Sequence, residues 1–147
     1  MDDDEIIEEE SEKWSPAEIE ILMPALGLIK TSSVALKKIQ TSLKSKGDPW
    51  NVQHMDQVLS HCQKISAGVD DLAMPLYPAM NVQEVQIESE NLAQSVTLMI
   101  ESLKDAHFVS NEDFESLKTF ILKAVEHNMG KLKVALASDQ LKSLEMK

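Results

Sequence analysis

The apolar residues of this chain return every three or four positions in four long stretches, and that repeat is what most constrains its fold. Side chains at that spacing lie along one face of an α-helix, so each stretch predicts an amphipathic helix with one face to bury. In the first stretch Ile19, Leu22, Leu26, Ile29, Leu36 and Leu43 form the stripe, with Ile39 beside it, and the predicted helix covers about 16–46. Val52, Met55, Leu59, Cys62, Ile65, Val69 and Leu72 mark a second helix over about 49–73. Val85, Leu92, Val96, Met99, Leu103 and Ala106 mark a third over about 83–107, and Phe114, Leu117, Ile121, Val125, Met129, Leu132 and Leu136 a fourth that ends near Ser138.

The punctuation between the stripes supports these limits. Ser15-Pro16-Ala17-Glu18 has the spacing of a capping box, with proline at the first helical position, where its missing N–H costs nothing. Gly47-Asp48-Pro49 reads as one helix stop followed by the next start, and Ser110 precedes acids that favour the positive end of a helix dipole. Pro24 is expected to kink or split the first helix, and Gly130 to weaken the fourth. Pro75 and Pro78 are expected to end the second helix and leave Met74 to Asn81 as an apolar loop.

Four helices joined by short connections predict an all-α fold, an antiparallel four-helix bundle over residues 15–138. Residues 1–14 are expected to form a disordered acidic tail and residues 139–147 a frayed end. The chain's net charge is −11, and its first 13 residues hold eight acids against one lysine. Seven of the eleven net negative charges therefore lie in the tail. A balance of this kind argues against direct binding to nucleic acid, which needs a lysine- and arginine-rich surface, and favours a basic protein partner. The acidic N-terminus lacks the basic and then apolar order of a signal peptide, and no run approaches the roughly 20 apolar residues of a membrane span. Cys62 is the only cysteine, so no intramolecular disulfide forms. The expected location is cytoplasm and nucleus.

Residue types that carry chemistry do not converge in the sequence. Its four glycines build no phosphate loop. His54 and His61 lie two turns apart with Val58 between them, His107 and His127 fall on other helices, and Cys62 lies on an apolar stripe where cysteine behaves as a small hydrophobe. No metal, cofactor or catalytic residue is assigned. The less ordinary features are Asp70 and Asp71, which oppose the helix dipole near a helix end, and the apolar group Met74, Leu76, Tyr77 and Met80 just after them. These six residues are the candidate partner-binding site.

The string Val69-Asp70-Asp71-Leu72-Ala73, followed by Tyr77-Pro78 and Met80, resembles a segment of the Grap2 and cyclin-D-interacting protein family. Trp14-Ser15, the run Ile21-Leu22-Met23-Pro24-Ala25-Leu26-Gly27-Leu28-Ile29, and then Ser33 with Leu36-Lys37-Lys38-Ile39 extend the likeness, which spans about 14–136. The resemblance implies an all-helical, non-enzymatic protein that binds D-type cyclins, an adaptor or helix-loop-helix proteins and restrains the cell cycle. It also implies that this chain corresponds to the second half of such a protein, beginning in its acidic stretch. The alternative is a helical scaffold that docks a basic partner through the acidic tail.

Overall fold

The computed structural model describes residues 13–45, 52–103 and 111–145, and these form four helices: α1 (Pro16–Ser45), α2 (Val52–Leu76), α3 (Val82–Leu103) and α4 (Asn111–Glu145). No strand occurs among the described residues. Two intimate pairs, α1 with α4 and α2 with α3, pack across one another to make a four-helix bundle. Glu20 near the start of α1 shares a groove with Ser138 near the end of α4, and Met74 near the end of α2 shares one with Glu84 near the start of α3, so both pairs are antiparallel.

The start of α1 is fixed as the capping-box spacing predicts. The Glu18 amide donates to Ser15 Oγ at 3.1 Å, and the Ser15 amide donates to Glu18 Oε1 at 2.8 Å. Two backbone donors that the first turn would leave unpaired are thereby satisfied. Asn81 does the same for α3, its Oδ1 accepting from the Glu84 amide at 3.1 Å. The starts suggested by Asp48-Pro49 and by Ser110 lie outside the described residues, as do the tail 1–12, the segment 104–107 at the expected end of the third helix, and residues 146–147.

Three expectations about helix limits need correction. Pro24 does not split α1, which is one helix of 30 residues with that proline buried inside it. Pro75 does not end α2. It lies in the last turn, where its fixed φ is compatible with a helix and only a single backbone donor is lost. The apolar connection therefore shrinks to Tyr77–Asn81, and Met74, Pro75 and Leu76 are helical. At the other end of the chain α4 continues past Ser138 to Glu145. Its added turns are rich in good helix formers and leave Leu141 and Leu144 exposed, so local propensity supports them more than packing does.

The core contains residues from every helix, among them Leu28, Ile39, Ile65, Leu72, Leu92, Met99, Ile121 and Leu132, all essentially closed to solvent. Of the predicted stripes, Val85, Leu92, Val96, Met99 and Leu103 of α3 and Phe114, Ile121, Val125, Leu132 and Leu136 of α4 are buried, Leu117 and Met129 are half-buried against the core, and Ala106 lies outside the described residues. On α1 the buried face is centred on Ile21, Leu22, Ala25, Leu28, Ala35 and Ile39, while Ile19, Leu26, Ile29 and Leu36 are half-buried. That helix touches all three others, so its buried arc is broad and not a single stripe. On α2 Val58 is buried with Ile65, Leu72 and Leu76, whereas Met55 and Leu59 of the predicted stripe face outward. Pro16–Thr41 of α1 is also long and apolar enough, by length and composition alone, to cross a membrane, against the expectation that no run would be; in the fold its most apolar residues close the bundle's core. The buried hydroxyls of Thr31, Ser32 and Ser89 each donate to a carbonyl of their own helix, so the core carries no unmet polar group among the described side chains.

Candidate partner-binding surface

The end of α2 is held by groups from two directions. Its last carbonyls have no partner within the helix. The Pro75 carbonyl accepts from the Asn81 amide at 2.9 Å, and the Met74 carbonyl from the Tyr77 amide at 3.3 Å. The Leu76 carbonyl accepts from the indole N–H of Trp14 at 2.8 Å, across 62 residues of chain. Trp14 is half-buried and packs against the core, so it belongs to the fold and not to the tail assigned by composition. A signal for this was present: Trp14 stands immediately before a capping serine, at the position from which an apolar residue staples a helix start.

The six candidate residues divide at this joint. Leu76 and Met80 are buried, at 4% and 9% exposure, and form part of the core. Asp70, Asp71, Met74 and Tyr77 face outward, with Met74 72% and Tyr77 65% exposed. The assignment of Leu76 and Met80 to a partner surface is therefore corrected: with α2 continuing through Pro75, Leu76 returns to the inner face four residues after Leu72, and Met80 closes the end of the bundle.

What the connection brings together is an open groove between the end of α2 and the start of α3. Asp71, Met74 and Pro75 line one side, and Asn81, Glu84 and Glu88 the other. Glu84 and Glu88 were missed in the sequence, although acids four residues apart share a helix face. The result is an acidic edge from which a flexible methionine projects, with Tyr77 beside it. Such residues suit recognition of a protein: methionine adapts to irregular surfaces, and tyrosine offers a large rigid contact area.

Among the described residues no group of three or more histidine, cysteine, aspartate and glutamate side chains is placed to hold a metal ion. Cys62 is half-buried against the core, and burial pushes its thiol above the ordinary cysteine value, away from the reactive thiolate.

Comparison with known proteins places these features. The sequence profile described as Grap2 and cyclin-D-interacting, C-terminal, matches residues 1–101. Over 123 residues the chain is 32% identical to a Xenopus laevis protein named cyclin-D1-binding protein 1 homolog, covering 82% of this chain and 37% of that one. Cyclin-D1-binding protein 1 of Bos taurus is 32% identical over 120 residues, with 82% and 33% covered, and that of Homo sapiens 30% identical over 126 residues, with 86% and 35% covered. The chain thus spans about a third of the length of the curated relatives it matches. By the extent of the profile match, the chain belongs to the Grap2 and cyclin-D-interacting protein family.

Proposed function

We propose that this chain is a non-enzymatic interaction module that binds a D-type cyclin through the acidic edge of its α2–α3 pair and so restrains cell-cycle progression. The observation that carries this reading is the exposure of Met74 and Tyr77 beside Asp70, Asp71, Glu84 and Glu88, in a chain whose relatives are named for binding cyclin D1. Acids and apolar side chains interleaved in this way fit a partner surface that pairs basic and apolar groups. Nucleic acid is outside the proposal, because phosphates are repelled by such an edge. An adaptor or a helix-loop-helix protein is a further partner class for the same edge, and the module would work in nucleus and cytoplasm.

The test is direct binding of the purified 147-residue chain to a purified D-type cyclin by calorimetry. Asp70→Ala/Asp71→Ala and Met74→Ala/Tyr77→Ala are the informative double variants, since all four side chains are exposed and their loss leaves the core intact. Each pair is expected to weaken binding by about tenfold or more, the effect of removing a strong interface contact. If the wild-type chain does not bind, the cyclin reading fails. If it binds and both variants bind equally well, the edge is not the contact.

A second reading has its own support, because the profile match begins at residue 1 and so includes the acidic segment. Here the segment docks a basic partner as a scaffold would. Replacing Asp2, Asp3, Asp4 and Glu5 by their amides abolishes binding under this reading and leaves it unchanged under the first.

A further inference from the structure

The longest helix, α4, carries apolar spacing on two faces. One is the core face described above. On the outward face Val134, Ala137, Leu141 and Leu144 follow at steps of three, four and three, and all are exposed, Val134 at 71%, Leu141 at 61% and Leu144 at 67%. With His127 and Gly130 before them they take the alternating inner positions of a heptad repeat from 127 to 144. Phe120, 54% exposed, continues the row one heptad earlier, but Lys123 interrupts it, so the continuous seam starts at His127. Steps that average 3.5 residues on a helix that turns every 3.6 drift by about 20° per heptad, and a partner helix follows that drift by left-handed supercoiling. The seam also runs into the turns after Ser138, which their own bundle leaves exposed, and helical turns without packing are only marginally stable.

We propose that this seam is where a second copy of the chain docks, α4 against α4, as a parallel two-stranded coiled coil. The charges beside the seam support this occupant. Glu126 stands just before one inner position and Lys131 just after the next. In a parallel pair these flanking places meet across the seam, so Glu126 of each copy lies against Lys131 of the other, twice by symmetry. The corresponding places one heptad on hold Lys133 and Ser138 and bring no like charges together. An antiparallel pair forgoes the contact between Glu126 and Lys131. The groove beside the seam holds Lys123 and Lys131 against Glu20 and Glu126. Such a balance selects neither an acidic nor a basic partner, and a patch that must match itself needs both signs.

From 127 to 144 the seam is about 27 Å long. It belongs with the small interfaces, below about 1,200 Å² in total, so the dimer is expected to form with a Kd on the order of tens of micromolar. The acidic edge is carried by α2 and α3, so a dimer made through α4 presents two such edges. The inference rests on α4 and does not depend on cyclin binding.

The test is sedimentation equilibrium of the full chain at concentrations on either side of that Kd, in reductant so that Cys62 forms no disulfide between copies. The average mass is expected to rise from monomer toward dimer. Leu141→Glu/Leu144→Glu is expected to raise the Kd by about tenfold or more, with circular dichroism verifying that the variant is folded. Glu126→Lys is expected to weaken the dimer, and Glu126→Lys/Lys131→Glu to restore it. In a Cys62→Ala background, Ala137→Cys and Leu144→Cys are each expected to give a disulfide-linked dimer on mild oxidation, because each faces its own copy across a parallel seam in register. A chain that stays monomeric throughout, or a dimer that withstands Leu141→Glu/Leu144→Glu, overturns the proposal. So does cross-linking at only one of the two cysteine positions, which is the most an antiparallel pair can give.

Discussion

The two helix pairs of this bundle are built alike and charged differently. Each is antiparallel, each buries a row of leucine, isoleucine and valine, and each has a glycine where its helices cross. Yet α2 and α3 hold Lys64 alone against seven acids, while α1 and α4 hold nine lysines against eight. The crossings differ as well. Gly27 of α1 faces the side-chain amide of Asn128, whose Nδ2 is bound to the Ala124 carbonyl at 2.9 Å, whereas Gly68 of α2 faces the Leu92 side chain. The shared features make one stable body. The differences set a strongly acidic pair, α2 and α3, against a nearly neutral one, α1 and α4.

Substitutions at the seams can break this comparison or sharpen it. The largest effect is expected for Leu92→Ala, which empties a fully buried site between α2 and α3. It should cost about 2–5 kcal/mol of unfolding free energy by chemical denaturation. A cost below that range would mean that this pair is loosely packed. Gly27→Ala comes next, at about 1–3 kcal/mol destabilising, because the added methyl meets Asn128, with its Cγ at 2.8 Å, and a tethered amide yields poorly. Trp14→Phe keeps the ring and removes the N–H that the Leu76 carbonyl accepts, so it should cost about 1–2 kcal/mol, reduced by partial exposure. It tests whether that one contact joins the start of α1 to the end of α2.

Gly130→Ala should act in the opposite direction. The glycine is exposed, a methyl there meets nothing within 4 Å, and thermal unfolding should show a gain of about 0.8–1 kcal/mol from helix propensity. The smallest effect is expected at Gly68→Ala. The same propensity gain is offset by crowding against Leu92 Cδ1 at 3.2 Å, an atom at the end of a flexible side chain, so the net change should be close to zero. Should Gly27→Ala and Gly68→Ala behave alike, the distinction between a polar and an apolar crossing would be lost.

The exposure of the candidate residues was legible in the sequence where the cue was local and not where it was distant. Asp70, Asp71, Met74 and Tyr77 are exposed, as a surface requires. Leu76 and Met80 were grouped with them because two prolines appeared to forbid a helix. A proline in a final turn forbids very little, and once α2 continues, the helical period carries Leu76 inward. Glu84 and Glu88 join the site only because the short Tyr77–Asn81 connection folds α3 back beside α2. Their spacing was visible, but nothing in it named the neighbour. Trp14 was assigned to the tail because charge counting treats it as the last residue of an acidic run, and its hydrogen-bond partner is 62 residues away.

By itself, the sequence determined that this protein is helical, where α1 begins, and which faces of α3 and α4 turn inward. These outcomes follow from backbone hydrogen bonding, capping and a 3.6-residue period, which act within a few positions along the chain. The tertiary structure decided which helices pair, which arc of α1 is buried, that Gly27 must remain small, and that four of the six candidate residues are exposed while two are buried. Those outcomes depend on contacts between segments far apart in sequence, where packing and burial are settled only when the four helices meet.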